Sequence, residues 1–275
     1  MTVENYGEDI RAFDAYLKTL EEPRSLESAD TDNIRNWMES MMDKGNTATS
    51  VNRRLCALRS LYRFALSRKL VEHDPAHAVK GPKKAKPLPL FLKEEEMNEL
   101  LDEKMWQDTF KDTRARTIIM MFYETGVRLS ELIGLDDKDV DLATGTLKVT
   151  GKRNKQRIIP FGEELRKAVT SYMERRNKEV ERCSHALFVT VKGLRMNREQ
   201  VRYEVKKHVS KVSTLKKRTP HVLRHTFATA MLNHNASLES VRKLLGHESL
   251  NTTEIYTHVT FEQLKKEYES AHPRA

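Results

Sequence analysis

The chain has 275 residues, 38% of them hydrophobic, and carries 49 Lys+Arg against 40 Asp+Glu for a net charge of +9. That is long enough for two ordinary domains with buried cores, and basic enough to point to a polyanionic partner, nucleic acid first. Cys56 and Cys183 stand far apart and outside any metal-ligand spacing, the N-terminus is polar, and the longest apolar run, Ile118 to Phe122, is too short to span a bilayer, so no disulfide scaffold, signal peptide or membrane anchor is expected and a reduced cytoplasmic setting fits.

Residues 1–80 read as a helical N-terminal domain. Tyr6, Ile10, Phe13, Leu17 and Leu20 recur at helical spacing, and Ile34, Trp37, Met38, Met41 and Met42 do so again after a Thr31 cap. A third helix is expected from about Thr49 to Leu66, with Val51, Leu55, Leu58, Leu61, Tyr62 and Ala65 inward. Its other face carries Arg53, Arg54, Arg59 and Arg63, which is equally a solvated surface or one side of a DNA clamp. Residues 81–92 contain three prolines and a glycine, favour extended chain and mark a linker.

A second domain is expected over 93–275. Lys93 to Leu101 opens it as a helix, and a further helix from about Thr113 carries Ile118, Ile119 and Phe122 inward before Gly126 closes it. Arg128 then begins a short helix with Glu131 one turn on, placed to orient the guanidinium. Thr146–Thr150 and Gln156–Pro160 read as strands joined by the basic turn Gly151–Lys155, and Ala186–Thr190 reads as a third strand. A long helix lies between them with Leu165, Val169, Tyr172 and Met173 as its apolar stripe. Val201, Val205, Val209 and Val212 mark another, bearing Arg198, Arg202, Lys206 and Lys207. Thr219 and Pro220 then read as N-cap and first residue of a helix that sets His221 and Arg224 on one face at its anion-attracting end. Ser237 to Leu245 is a helix stopped by Gly246, leaving His247 just beyond. Capping boxes at Asn251–Glu254 and Thr260–Gln263 predict a short helix carrying Tyr256 and a last helix striped by Phe261, Leu264 and Tyr268. The fold class is therefore mainly α with a small antiparallel sheet.

Five segments in order, TGVRLSEL (125–132), GKRNKQRIIP (151–160), HVLRHTFAT (221–229), LLGHESLNTT (244–253) and IYTHV (255–259), closely resemble the tyrosine recombinase (phage integrase) family, and within it the Xer recombinases. The resemblance runs from Val3 to the end of the chain. It implies an N-terminal core-binding, SAM-like domain and a catalytic domain ending in an exchange helix. By the same match Arg128 and Arg224 are the two catalytic arginines, Lys152 the hairpin lysine, His221 and His247 the histidine positions, Tyr256 the nucleophile and Glu131 the acidic buttress of the first arginine. Family members usually carry a further helix before Thr2–Tyr6, so the chain is expected to be either naturally short there or trimmed, and if trimmed its N-terminal clamp is expected to bind DNA less tightly than a complete one.

Elementary chemistry accounts for those residue types. A phosphodiester under attack gains charge on its nonbridging oxygens, which two guanidiniums can clamp. A tyrosine, with a reference pKa of about 10, needs a proton acceptor and a positive field to act as nucleophile. His221 is the candidate acceptor, with His247 on the phosphate or the tyrosine. Lys152 is the candidate acid for the leaving 5′ oxygen, although Arg153 and Lys155 share its loop. Because the family reaction stores bond energy in a 3′-phosphotyrosine, neither ATP nor a metal is expected. The implied partners are a double-stranded recombination site and a tetramer on two such sites, of one recombinase or of two, with a DNA translocase as a candidate activator. Chromosome dimer resolution leads as the biological role. The alternatives are an integrase or transposase of a mobile element, a type IB topoisomerase-like enzyme and a non-catalytic DNA-binding protein.

Overall fold

The computed structural model describes residues 2–84, 89–151, 154–246 and 261–274. Two compact units divide the chain, Met1–Leu88 and Pro89–Ala275. No helix among the described residues is long and apolar enough to cross a membrane.

The first unit holds α1 (Thr2–Leu17), α2 (Thr31–Asp43) and α3 (Ala48–Ser67). Their apolar stripes meet in one core of Phe13, Leu17, Ile34, Trp37, Val51, Leu55, Leu58 and Tyr62, with the Phe13 and Trp37 rings 4.9 Å apart. α1 ends before Leu20, and Leu61 is only half buried. The cap of α2 is Asp30 rather than Thr31. The Asp30 carboxylate accepts the Asn33 N–H at 2.8 Å while Asn33 Oδ1 accepts the Asp30 N–H at 3.1 Å, and the Thr31 hydroxyl donates instead to Pro75 O.

The second unit begins with α4 (Glu94–Leu101) and a 3₁₀ turn at Glu103–Met105, followed by α5 (Phe110–Thr125) and α6 (Leu129–Gly134). After a second 3₁₀ turn at Asp137–Asp139 come β1 (Val140–Asp141), β2 (Thr146–Thr150) and β3 (Gln156–Pro160). The remaining helices are α7 (Glu163–Glu179), α8 (Arg198–Val212), α9 (Pro220–Asn233), α10 (Leu238–Leu245) and α11 (Phe261–Ala271). From Thr117 to Thr125 α5 is buried on every side, its sequence there being mostly apolar, and α7, α8 and α9 pack about it. It starts at Phe110, a turn earlier than periodicity alone indicates, because Thr109 Oγ1 accepts the Asp112 N–H and sets the cap there. The sheet has the order β1-β2-β3, antiparallel throughout, with Val149 opposite Arg157.

The expected strand at 186–190 does not form, and the third strand of the sheet is β1. Residues 186–190 contribute only isolated bridges, Ala186 to Asp136 and Val189 to Arg195. Their backbone groups are taken by side chains and by another loop. Arg176 Nη1 donates to Leu187 O at 2.8 Å, Arg114 Nη1 donates to Val189 O at 2.9 Å, the Val189 N–H donates to the Tyr172 hydroxyl, and the Leu187 N–H donates to Leu135 O. With those groups satisfied, no ladder is required.

α11, which the family resemblance assigns to a neighbouring protomer, packs in this single chain on its own unit against α9 and α10. Tyr268, Ala271 and His272 are buried there. Its apolar stripe needs a partner surface, and its own unit supplies one.

Candidate active site

The site is organised by the end of one short helix. α10 stops because Gly246 adopts a left-handed conformation (φ 64°, ψ 46°), in which its N–H turns back to the last helical turn. The following carbonyls have no partner within the helix, and three guanidiniums take them in order. Arg157 Nε donates to Leu244 O at 2.8 Å, Arg224 Nη2 to Leu245 O at 2.7 Å, and Arg128 Nη2 to Gly246 O at 2.9 Å. Cations at a helix C-terminus are favoured by the backbone dipole as well as by the hydrogen bonds.

Each guanidinium arrives from a different element. Arg128 is the N-cap of α6, which starts directly after α5 ends at Gly126. Gly126 is needed there on two counts: its φ is 58°, and a Cβ would fall 2.5 Å from Phe227 and 2.8 Å from Leu245. Arg224 stands in the second turn of α9 and is buried, and Nη1 donates to Gly126 O. Burial, and then repulsion from Arg128, lower the Arg224 guanidinium to about 10, which still leaves it charged at neutral pH. The α9 start forms at Thr219 and Pro220 as the sequence indicates, but the Thr219 side chain makes no capping hydrogen bond.

Glu131 is the hub beneath the arginines. Its Oε1 accepts from Arg128 Nη1 at 2.8 Å and from Arg157 Nη1 at 2.7 Å; its Oε2 accepts from the Arg128 N–H at 2.8 Å and from Arg157 Nη2 at 2.9 Å. Burial by itself would raise the carboxyl, but these donors, Arg157 foremost, hold it below its ordinary value. The Glu131 side chain is only 2% exposed, so it is an ionised carboxylate kept in the interior by two cations. Sequence reasoning found Glu131 and missed Arg157. The available signal was strand alternation: Arg157 shares a face of β3 with Ile159, which points into the core.

His221 occupies the second position of α9 and reaches the surface. Partial burial of the ring lowers its pKa below the ordinary value, and His225, Arg224 and Arg128 add repulsion in the same direction. It is therefore a neutral imidazole at neutral pH. The hairpin expected to carry the acid opens beside the hub: the Gly151 N–H donates to Lys155 O at 2.7 Å, and a Cβ on Gly151 would stand 3.5 Å from Glu131 Oε1. Lys152 and Arg153 themselves, together with His247 and Tyr256, lie outside the described residues. Arg128, Glu131, His221 and Arg224 are thus gathered at one place, with the chain of His247 continuing directly from Gly246.

The basic residues expected to contact DNA divide into two groups. Arg53 forks onto the buried Asp9 carboxylate, Arg54 lies 3.6 Å from the same group, and Arg59 donates to Ala76 O and to Val79 O, so these three serve their own unit. Arg63 is exposed, as are Lys155, Arg198 and Arg202, the last paired with Glu199 at 2.6 Å.

Comparison with known proteins agrees with this geometry. Residues 90–263 match the model of the phage integrase family, and residues 1–69 match the phage integrase N-terminal SAM-like domain. Tyrosine recombinase XerC of Chlorobaculum tepidum is 39% identical, with the alignment covering 100% of this chain and 89% of the relative. Tyrosine recombinase XerD of Halalkalibacterium halodurans is 37% identical over 100% of this chain and 92% of its own. Among solved structures, XerA recombinase is 27% identical with a TM-score of 0.54, covering 100% of this chain and 93% of that one. XerH recombinase shares the fold at a TM-score of 0.77 and 23% identity, over 96% of this chain and 78% of that one. With two domain matches in the expected order, full-length relatives and a pair of arginines drawn together from separate helices, the chain belongs to the phage integrase family, the tyrosine recombinases, and is a DNA strand-transferring enzyme.

Proposed function

We propose that the enzyme carries out Xer-type site-specific recombination on double-stranded DNA, with Tyr256 as nucleophile. The Tyr256 hydroxyl attacks a backbone phosphorus, the bond to the 5′ oxygen breaks, and a 3′-phosphotyrosyl enzyme and a free 5′ hydroxyl result. A second strand's 5′ hydroxyl then displaces the tyrosine by the reverse course. Bond energy is conserved, so the cycle calls for no external energy source.

Arg128 and Arg224 bind the nonbridging oxygens as charge develops on them, and Glu131 keeps Arg128 aimed. His221 takes the tyrosine proton, His247 bonds the phosphate, and Lys152 protonates the leaving oxygen. The observation that carries the reading is the meeting of Arg128 and Arg224 on consecutive carbonyls, Gly246 O and Leu245 O. Two buried or half-buried cations so close repel each other, and an anion held between them relieves that repulsion.

Work on two DNA sites requires a tetramer, of this chain alone or with a second recombinase, acting in the cytoplasm. The curated relatives named XerC and XerD favour chromosome dimer resolution over integration of a mobile element. A nicked suicide duplex tests the chemistry. The wild type is expected to accumulate a covalent protein–DNA adduct, and Tyr256→Phe is expected to bind the duplex without forming one. An adduct that persists in Tyr256→Phe sinks the assignment.

A further inference from the structure

Arg157 forms a three-way junction and lies in the matched segment 151–160, but the family resemblance gave it no role. One guanidinium joins three parts of the site that are distant in sequence. Nη1 and Nη2 fork onto Glu131 at 2.7 and 2.9 Å, and Nε holds Leu244 O at 2.8 Å. The backbone of Arg157 belongs to β3 and pairs with Val149 of β2, so it also anchors the root of the hairpin that bears Lys152. The Arg157 side chain further lies against Gly246, where a Cβ would stand 3.2 to 3.3 Å from its Nη1, Cδ and Cζ. Only an arginine offers a planar fork and a third donor at that reach.

We propose that Arg157 is a positioning residue for strand cleavage: it neutralises the buried carboxylate that aims Arg128 and locks the hairpin root to the end of α10, so that the two arginines, the hairpin root and the α10 terminus share one frame. The proposal rests on the recombinase reading above. Without Arg157, Glu131 keeps Arg128 and the more distant charge of Arg224 as its cations, while half of its hydrogen bonds are lost. The carboxyl then drifts toward its protonated form and releases Arg128.

Arg157→Met keeps an unbranched apolar stem and removes the charge and the fork; Arg157→Lys keeps the charge alone. On the nicked duplex, Arg157→Met is expected to retain DNA binding while adduct formation falls roughly ten- to hundredfold, the scale of a small misplacement of reacting groups. The Glu131 carboxyl, followed by carbon NMR and assigned with Glu131→Gln, is expected to titrate at higher pH in Arg157→Met than in the wild type. Arg157→Lys should restore that titration and recover cleavage only in part. If Arg157→Met does not fold, the double variant Arg157→Met with Glu131→Gln removes both buried charges together. It should fold and cleave more slowly than Glu131→Gln, because the bond to Leu244 O is still lost, but by less than the fall expected of Arg157→Met against the wild type. Wild-type cleavage in Arg157→Met, an unmoved Glu131 titration, or additive losses in the double variant would each overturn the proposal. A wild type that forms no adduct would defeat the recombinase reading instead, and the NMR titration would still decide whether Arg157 governs Glu131.

Discussion

Arg128 and Arg224 hold neighbouring carbonyls of the same chain turn, Gly246 O at 2.9 Å and Leu245 O at 2.7 Å, yet they stand in unequal surroundings. Arg224 is 7% exposed, whereas the Arg128 side chain is 32% exposed. The difference separates their contributions to stability. Arg224→Ala strands the carbonyls of Gly126 and Leu245 in the interior and should cost about 2–3 kcal/mol in urea unfolding. Arg128→Ala exposes its carbonyl to water and leaves Glu131 on Arg157, so about 1 kcal/mol or less is expected. Cleavage should collapse in both. Equal stability losses would show that burial does not distinguish the two.

Gly246→Ala should damage the site without touching a charge. The left-handed backbone strains any L side chain, and the added methyl presses on Arg157 at 3.2 Å. A loss of about 1 kcal/mol or somewhat more is expected in thermal or urea unfolding, together with slower cleavage as Arg157 is displaced. A variant as stable and as active as the wild type would mean that the α10 terminus yields freely.

Much of this site was legible from residue types. Arg128, His221 and Arg224 stood beside helix boundaries marked by Gly126, Thr219 and Pro220, and the boundaries formed there. Arg157 was not legible, because an arginine on a short strand next to a basic turn looks like one more solvated cation until the depth of Glu131 is known. The lost strand at 186–190 has a similar cause. Val and Phe signalled β structure, but the buried Arg176 and Arg114 that claim its carbonyls sit on α7 and α5, and nothing in the local sequence announces them. The intra-unit roles of the α3 arginines were not legible either: Arg53 and Arg59 reach partners 44 and 20 residues away, a distance at which periodicity is blind.

The lowered pKa of His221 sets a pH profile. As proton acceptor it works in the neutral form, so the cleavage rate should rise with pH through a value below 6.5 and be level by neutrality. His221→Asn should remove that acid limb and slow cleavage roughly a hundredfold or more. If the same limb persists in His221→Asn, another group is the acceptor.

The buried His272 should make the docking of α11 sensitive to acid. In its neutral form the ring is satisfied on both sides: Nε2 donates to Tyr123 O at 3.2 Å, and Nδ1 accepts the Arg274 N–H at 3.2 Å. It stacks on Tyr268 at 5.1 Å and lies 5.7 Å from Phe227 of α9. Burial, above all, lowers it to about 4, Tyr123 O opposes that shift, and Arg274 and His234 add to it. A base depressed on folding contributes stability that is complete above its ordinary value of 6.5 and is lost as pH falls toward 4, here about 3 kcal/mol at most. Glu124, raised to about 8 by burial in the same region, works in the opposite sense, since its penalty grows as pH rises from 4.5. His272→Phe keeps the ring and removes the proton site, so comparison with the wild type isolates the histidine from the glutamate. Hydrogen exchange of the α11 amides between pH 4 and 7 should show protection failing on acidification in the wild type and far less in His272→Phe. Identical acid loss in the two would assign the effect elsewhere.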